Sequence, residues 1–391
     1  STITFVHNNA YKPEELPECF CRNAEGMLKN MAVHELALLV TFYGVTSSNI
    51  ADIKIDYEYS KLETHSFEFR GTSTDYTDFP AAGFTITTTE GKVVTVKADR
   101  CGDAGGTGFA EAIVTLNGEE VFKTKTPDEA LQAYCDEMTK KDPAMMPYFF
   151  LQSDDYLTLK STVIDHLASG APGVPERIAT IEIAIETLKV AEYVTDFMKA
   201  KLSLPKVDVI LVGCGVPKRG MGWYHLTQLL KMHCNVRGVV EPWFMGPGAE
   251  TPGGPEFHAM KAELDAQNSG VGFYSSVGDL PALGAGVPCI ALIAGRTADN
   301  PKLFREVIEK GCSAVYLEKP GATTVADLEG MKMFADEKGV KVYLGYNKNV
   351  TKYVKDALDF QAKTPGSTIT FVHNNAYKPE ELPECFCRNA E

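Results

Sequence analysis

Gly213-Cys214-Gly215 stands between a strongly apolar stretch, VDVILVG, and a stretch of helical pattern, the context in which spaced glycines carry chemical meaning. There the backbone turns tightly and approaches a pyrophosphate, whose charge meets the amides of a helix N-terminus. The spacing is irregular. GCGVPKRGMGWYHL delays the third glycine, assigned to Gly222 with Gly220 as the alternative, and puts Val216 to Arg219 into the loop. Lys218 and Arg219 can meet phosphate or face solvent. Glu241, 28 residues past Gly213, closes the next β-rich run. A carboxylate there accepts from both ribose hydroxyls and repels a 2′-phosphate, so NAD is favoured over NADP; the bland alternative is a strand-end carboxylate facing solvent. A later strand end, AVYLEKPGA, delivers Glu318, Lys319 and Pro320 to the ligand crevice. Asn30 and His34, four positions apart, share one face of an expected helix.

These residues need elements to hold them. Residues 207 to 345 alternate short β-rich runs with amphipathic stretches, the signature of a parallel sheet with crossover helices. VDVILVG, VRGVVE, CIALIA, AVYLE and KVYLGY read as strands; WYHLTQLLKMH, NPKLFREVIEKG and TVADLEGMKMFADEKG read as helices. MGPGAETPGGPE reads as an exposed loop. The other half opens with a helix over 27–43 and continues in period-two runs such as GFTITTTEG and KVVTVKAD, which predict an antiparallel sheet with one solvated face. Helices over 156–168 and 175–201 follow. The fold class is therefore α/β plus α+β: a Rossmann-like doubly wound parallel sheet with a second domain on an open, mostly antiparallel sheet.

A net charge of −14 argues against nucleic acid and anionic membranes as partners. No apolar run approaches the roughly 20 residues of a membrane span. Cysteines scattered through apolar segments, Cys214, Cys234, Cys289 and Cys312 among them, fit free thiols and a cytoplasmic location. Cys19-x-Cys21 lacks a second pair at ligand spacing, so no metal site is expected.

Taken together, GCG…MGWYHL, EKP at a strand end, GYNKN at 345–349 and the sheet domain resemble the glucose-fructose oxidoreductase, inositol dehydrogenase and MocA (Gfo/Idh/MocA) family. The resemblance implies an NAD-dependent oxidoreductase acting on a secondary alcohol of a sugar or cyclitol, built as a homo-oligomer. It implies that Lys319 works at the substrate oxygen, that Tyr346 and Asn347 lie near the nicotinamide, and that a D-x-x-x-H motif supplies proton transfer. Here His34 matches that motif and Asn30 replaces its aspartate. An amide hydrogen-bonds but relays no proton, which weakens the chemistry. The rival readings are an enzyme-derived structural subunit with a decayed site and an NAD-binding module without turnover. Arg296 is assigned no role, and His225 is expected to pack or cap.

Residues 367–391 repeat residues 1–25 letter for letter, which leaves 366 distinct residues. The family order is rotated: substrate domain 1–203, dinucleotide domain 204–366, then a second copy of the substrate domain's first strand. An engineered circular permutant, a deliberate duplication and a window of a tandem polyprotein each account for it. One domain has room for one such strand, so the other copy is expected to enter a neighbouring unit's sheet and link units into a string or filament.

Overall fold

Thr, Ile, Thr, Phe and Val in succession suit an extended, half-buried backbone, and Thr2–Asn8 forms the first strand, β1. The computed structural model describes residues 2–69, 72–284, 286–374 and 376–383. The chain divides into two units, Ser1–Pro205 and Lys206–Glu391.

In the first unit β1 leads through a short helix, Leu16–Arg22 (α1), into Met27–Asn30 (α2) and Val33–Tyr43 (α3). Strands Ile50–Ile55 (β2), Lys61–Phe69 (β3), Thr72–Thr88 (β4), Val93–Asp99 (β5), Phe109–Leu116 (β6) and Glu119–Thr126 (β7) complete one sheet in the order β2-β4-β5-β1-β6-β7, with β3 beside β4. β1 is thus central, parallel to β5 and antiparallel to β6; the other pairings are antiparallel. Three helices follow: Glu129–Lys141 (α4), Pro147–Ser169 (α5) and Ile181–Leu202 (α6). The core lies between one sheet face and α3 and α6, where Leu36, Leu39, Val190 and Val194 meet Phe84, Ile86, Val94 and Val96. Alternation along β5 buries Val94, Val96 and Ala98 and turns their neighbours outward.

Several expected boundaries are corrected. The helix over 27–43 is two helices, because the amide of Ala32 reaches back to Met27 rather than Leu28 and widens the turn. The helix over 175–201 starts at Ile181, where the Thr180 hydroxyl caps the Ile183 amide. The helix over 156–168 begins earlier, at Pro147, which suits a first helical turn.

The second unit is a six-stranded, wholly parallel sheet. Val207–Val212 (β8), Met221–Leu229 (α7), Cys234–Val240 (β9), Gly254–Ala266 (α8), Gly272–Tyr274 (β10), Cys289–Ile293 (β11), Asn300–Glu309 (α9), Ala314–Leu317 (β12), Val325–Lys338 (α10), Lys341–Leu344 (β13) and Lys352–Lys363 (α11) follow in turn. The strand order β10-β9-β8-β11-β12-β13 is the doubly wound arrangement whose direction of growth reverses between β8 and β11. Alternate residues of β8 feed two cores: Ile210 and Val212 on one face, Val209 and Leu211 on the other. The MGPGAETPGGPE stretch is not simply an exposed loop. Gly248, Gly253 and Gly254 are buried and α8 begins within it, since a Cβ on Gly254 would lie 2.0 Å from the Ala249 carbonyl oxygen.

The second copy of the repeat keeps only its local structure. Pro379–Glu381 makes the same short 3-10 turn as Pro13–Glu15, with Glu381 accepting from the Lys378 amide at 2.8 Å as Glu15 does from Lys12 at 2.7 Å. Residues 367–374 form no strand.

Candidate functional site

Because all six strands of the second unit run the same way, their carboxyl ends share one edge, and the expected cofactor residues gather there. Gly213 follows β8 at φ +83°, a conformation that L side chains rarely adopt, and its missing Cβ leaves room for Gly295 after β11. Gly222, in the first turn of α7, lies so close to the Gly213 carbonyl that a Cβ would stand 1.8 Å from the oxygen. Gly220 caps α7. The Gly215 amide donates to Glu241 Oε2 at 2.8 Å and the Trp243 amide to Oε1 at 3.2 Å, so this buried carboxylate is clamped between the glycine loop and the end of β9. A cavity of about 860 Å³ opens beside them, lined by Gly213, Gly215, Glu241, Trp243, Arg296 and Asp299 among others. Burial, then the charge of Glu241, pushes the Cys214 thiol up to about 12, which leaves it neutral and unreactive.

The residues inserted into the glycine loop are docked. Val216 packs on Gly253 and Arg219 pairs with Glu256 at 3.1 Å, both at the start of α8. Lys218 takes φ +64°.

At the end of β12, Glu318 Oε1 meets His225 Nε2 at 2.8 Å, and the His225 ring packs edge-on against Tyr316. His225 therefore anchors Glu318. Asn300, buried on α9, donates to the Gly321 carbonyl at 2.8 Å and fixes the turn that carries Lys319 and Pro320. Lys319 itself is exposed and makes no hydrogen bond or ion pair among the described residues. Tyr346 and Asn347 follow β13 on the same edge, with Tyr346 half exposed.

In the first unit a separate cavity of about 380 Å³ brings together Asn30, His34, His7, Asn9, Gln152 and Asp155. Asn30 ends α2 and His34 lies in the first turn of α3, so the break between the helices does not part them. The Asn30 amide donates to Glu25 at 2.7 Å. His7, at the end of β1, was not singled out by the sequence reading; its Nδ1 meets both oxygens of buried Glu35 at 3.0 and 3.1 Å and its Nε2 meets Asn9 Oδ1 at 3.2 Å. The available signal was a polar run, His7-Asn8-Asn9, ending an apolar strand.

Burial pulls the His7 pKa down, but the Glu35 hydrogen bond and charge outweigh it and hold the imidazole above its usual 6.5. Because the folded value is the higher, the stabilisation is complete below the unfolded pKa and lost as pH rises through the folded one. The first unit should therefore melt at a lower temperature at about pH 8 than at about pH 6, and His7→Gln should flatten that difference in paired melting curves.

Residues 251–346 match a family model described as an oxidoreductase family with an NAD-binding Rossmann fold, Gfo/Idh/MocA. Over that stretch the chain is similar to the Gfo/Idh/MocA oxidoreductases. Several solved structures are similar to the chain over part of their length. An NAD-binding protein from Listeria innocua shares 25% identity over 42% of this chain and 42% of its own, with a TM-score of 0.32. Scyllo-inositol dehydrogenase from Lactobacillus casei, solved with NAD(H) and scyllo-inositol, shares 14% over 40% and 42% (TM-score 0.30). An oxidoreductase from Klebsiella pneumoniae, described as putative, shares 18% over 45% of each chain (TM-score 0.34). The chain thus spans less than half the length of these structures. No curated protein matches it. Among the described residues no helix is long and apolar enough to cross a membrane.

Proposed function

We propose that the chain is an NAD-dependent dehydrogenase that moves a hydride between nicotinamide and a secondary alcohol of a sugar or cyclitol. The observation that carries this reading is Lys319, without an ion-pair partner among the described residues, on a turn held by Asn300 at the same strand-end edge as the glycine loop and Glu241.

The residues fit a dinucleotide. Gly213 and Gly222 leave the backbone bare where a pyrophosphate approaches, and each Glu241 oxygen keeps acceptor capacity beyond its one amide bond. That capacity suits ribose hydroxyls and disfavours a 2′-phosphate. When bound, the nicotinamide ring supplies the hydride acceptor or donor. On this reading Lys319 polarises the substrate oxygen, and the assignment of proton exchange to His34 rests on the family pattern alone. The imidazole and amide groups around His34 suit a ligand with several hydroxyls, and His7, held by Glu35, orients one of them.

Trp243 lines the cofactor cavity, so NADH binding should appear as energy transfer from tryptophan. Lys319→Ala should keep the NADH dissociation constant and lose about 10²-fold or more in kcat on polyols. A chain that binds no NAD(H) at millimolar concentration sinks the proposal.

One observation favours the second reading, an enzyme-derived subunit without turnover. Asn30 stands where the family pattern has aspartate, and its amide is tied to Glu25. On that reading NADH binds, no polyol turns over, and Asn30→Asp brings activity up from background.

A further inference from the structure

The two copies of the 25-residue segment share every residue, and their strand portions, 2–8 and 368–374, differ in structure. In the first copy, Ile3–Asn8 pair with Val94–Asp99 on one side and Thr2–Asn8 pair with Phe109–Thr115 on the other. Phe5 packs against the core, and Leu16 is only 7% exposed. In the second copy, Phe371 is 57% exposed, Val372 73% and Leu382 40%, although these are the residues that match Phe5, Val6 and Leu16. Among the described residues its ties are light: hydrogen bonds of Ser367 with Thr364 and Gln361, an edge-on contact of Phe371 with Tyr353, and a hydrogen bond of His373 with Lys348.

Among the described residues of the second copy, 367–374 have no strand beside them. The turn at Pro379–Glu381 is encoded within a few residues and forms in both copies, whereas a strand needs a ladder on at least one side. A ladder that this sequence fits is the gap between β5 and β6, which β1 holds.

We propose that residues 367–383 are a second occupant of the β1 position, displacing residues 2–17 from a sheet of this sequence. The local contacts made and lost are identical, so the exchange is decided by tethering and concentration rather than by side-chain chemistry. Filled this way, the sheet receives His373 where His7 stands, opposite Glu35, and the candidate substrate cavity is completed by a residue from beyond the dinucleotide domain. This last consequence rests on the functional reading above; the exchange does not.

Thr2 and Thr115 hydroxyls touch across the β1–β6 pair, so position 115 reports which copy is beside it. In the full chain carrying Thr115→Cys and Thr368→Cys, mild oxidation followed by peptide mapping should recover a disulfide joining positions 115 and 368. The mass of the linked species tells whether the sheet belongs to the same chain or to another copy. The Thr2→Cys, Thr115→Cys chain is the reference for the first copy. Adding Phe5→Pro, which removes a ladder hydrogen bond from the first copy alone, should raise the 115–368 bridge about tenfold, the change given by about 1.4 kcal/mol of lost pairing. The Phe5→Pro chain should also melt cooperatively, whereas Phe5→Pro with Phe371→Pro should not. Absence of the 115–368 bridge under conditions that link 115 to 2, or a Phe5→Pro chain as unstable as the double variant, overturns the proposal.

Discussion

Gly222→Ala should abolish NADH binding and destabilise the dinucleotide unit by about 3 kcal/mol or more, at or beyond the upper end of overpacking costs. The new methyl group would sit 1.8 Å from the Gly213 carbonyl oxygen and 2.8 Å from the Cys214 Cα, both main-chain atoms that no rotamer change can move aside. Relief requires α7 to lift off β8, and that motion spoils the loop in which Gly215 reaches Glu241. Denaturant unfolding of the second unit reads the first effect and tryptophan-to-NADH energy transfer the second. Gly330→Ala is the matched control. It lies within α10 with nothing within 4 Å of the added atom, so it should stabilise by about 0.5–1 kcal/mol and leave binding alone.

Arg100→Met should cost the first unit about 3–5 kcal/mol, the range for breaking a buried ion pair from one side. Arg100 and Asp78 are 1% and 0% exposed, with the guanidinium Nη2 donating to Asp78 Oδ2 at 2.8 Å. The same oxygen takes the Met27 amide at the start of α2, and a second guanidinium nitrogen reaches Cys19 Sγ at 2.8 Å. Without Arg100 a bare carboxylate stays buried beneath the turn that leads to Asn30 and His34. Arg100→Met combined with Asp78→Leu should recover most of the loss, because it removes the stranded charge along with its partner. Thermal unfolding of the two variants and of each single change separates charge burial from packing; equal losses in Arg100→Met and the double variant would show that packing alone is at stake.

The dinucleotide unit was legible because parallel strands covered on both faces read as continuous apolar runs. VDVILV is such a run, each alternate residue serving a different core. Gly213, Glu241 and Lys319 could be placed from the same logic, since each sits just past a strand. The start of α8 was hidden by Gly253 and Gly254, which look like loop residues and are there for close backbone contact. β10, with three residues, is too short for any period to show. In the first unit α4 was overlooked although its markers are present, an Asp128 cap on the Leu131 amide and Lys140 and Lys141 in the last turn. The break at Met31 and Ala32 leaves no trace in the unbroken helical pattern MLKNMAVHEL. His7 was missed for a different reason: its meaning comes from Glu35, 28 positions away on another element, and only the packing of α3 near β1 joins them.

The central place of β1 also gives the two copies different histories. Thr2 must wait for Thr115, 113 positions later, before its far ladder exists. At translation rates of about 5–20 residues per second that delay is roughly 6–23 s, during which the first copy stays near its nascent sheet ahead of the copy at 367–391. The second copy is synthesised more than 250 residues after Leu116, the last residue of β6, so β5 and β6 are available to β1 first. Order of synthesis therefore favours the first copy kinetically before tethering and concentration set the balance, and refolding the finished chain from denaturant removes that head start.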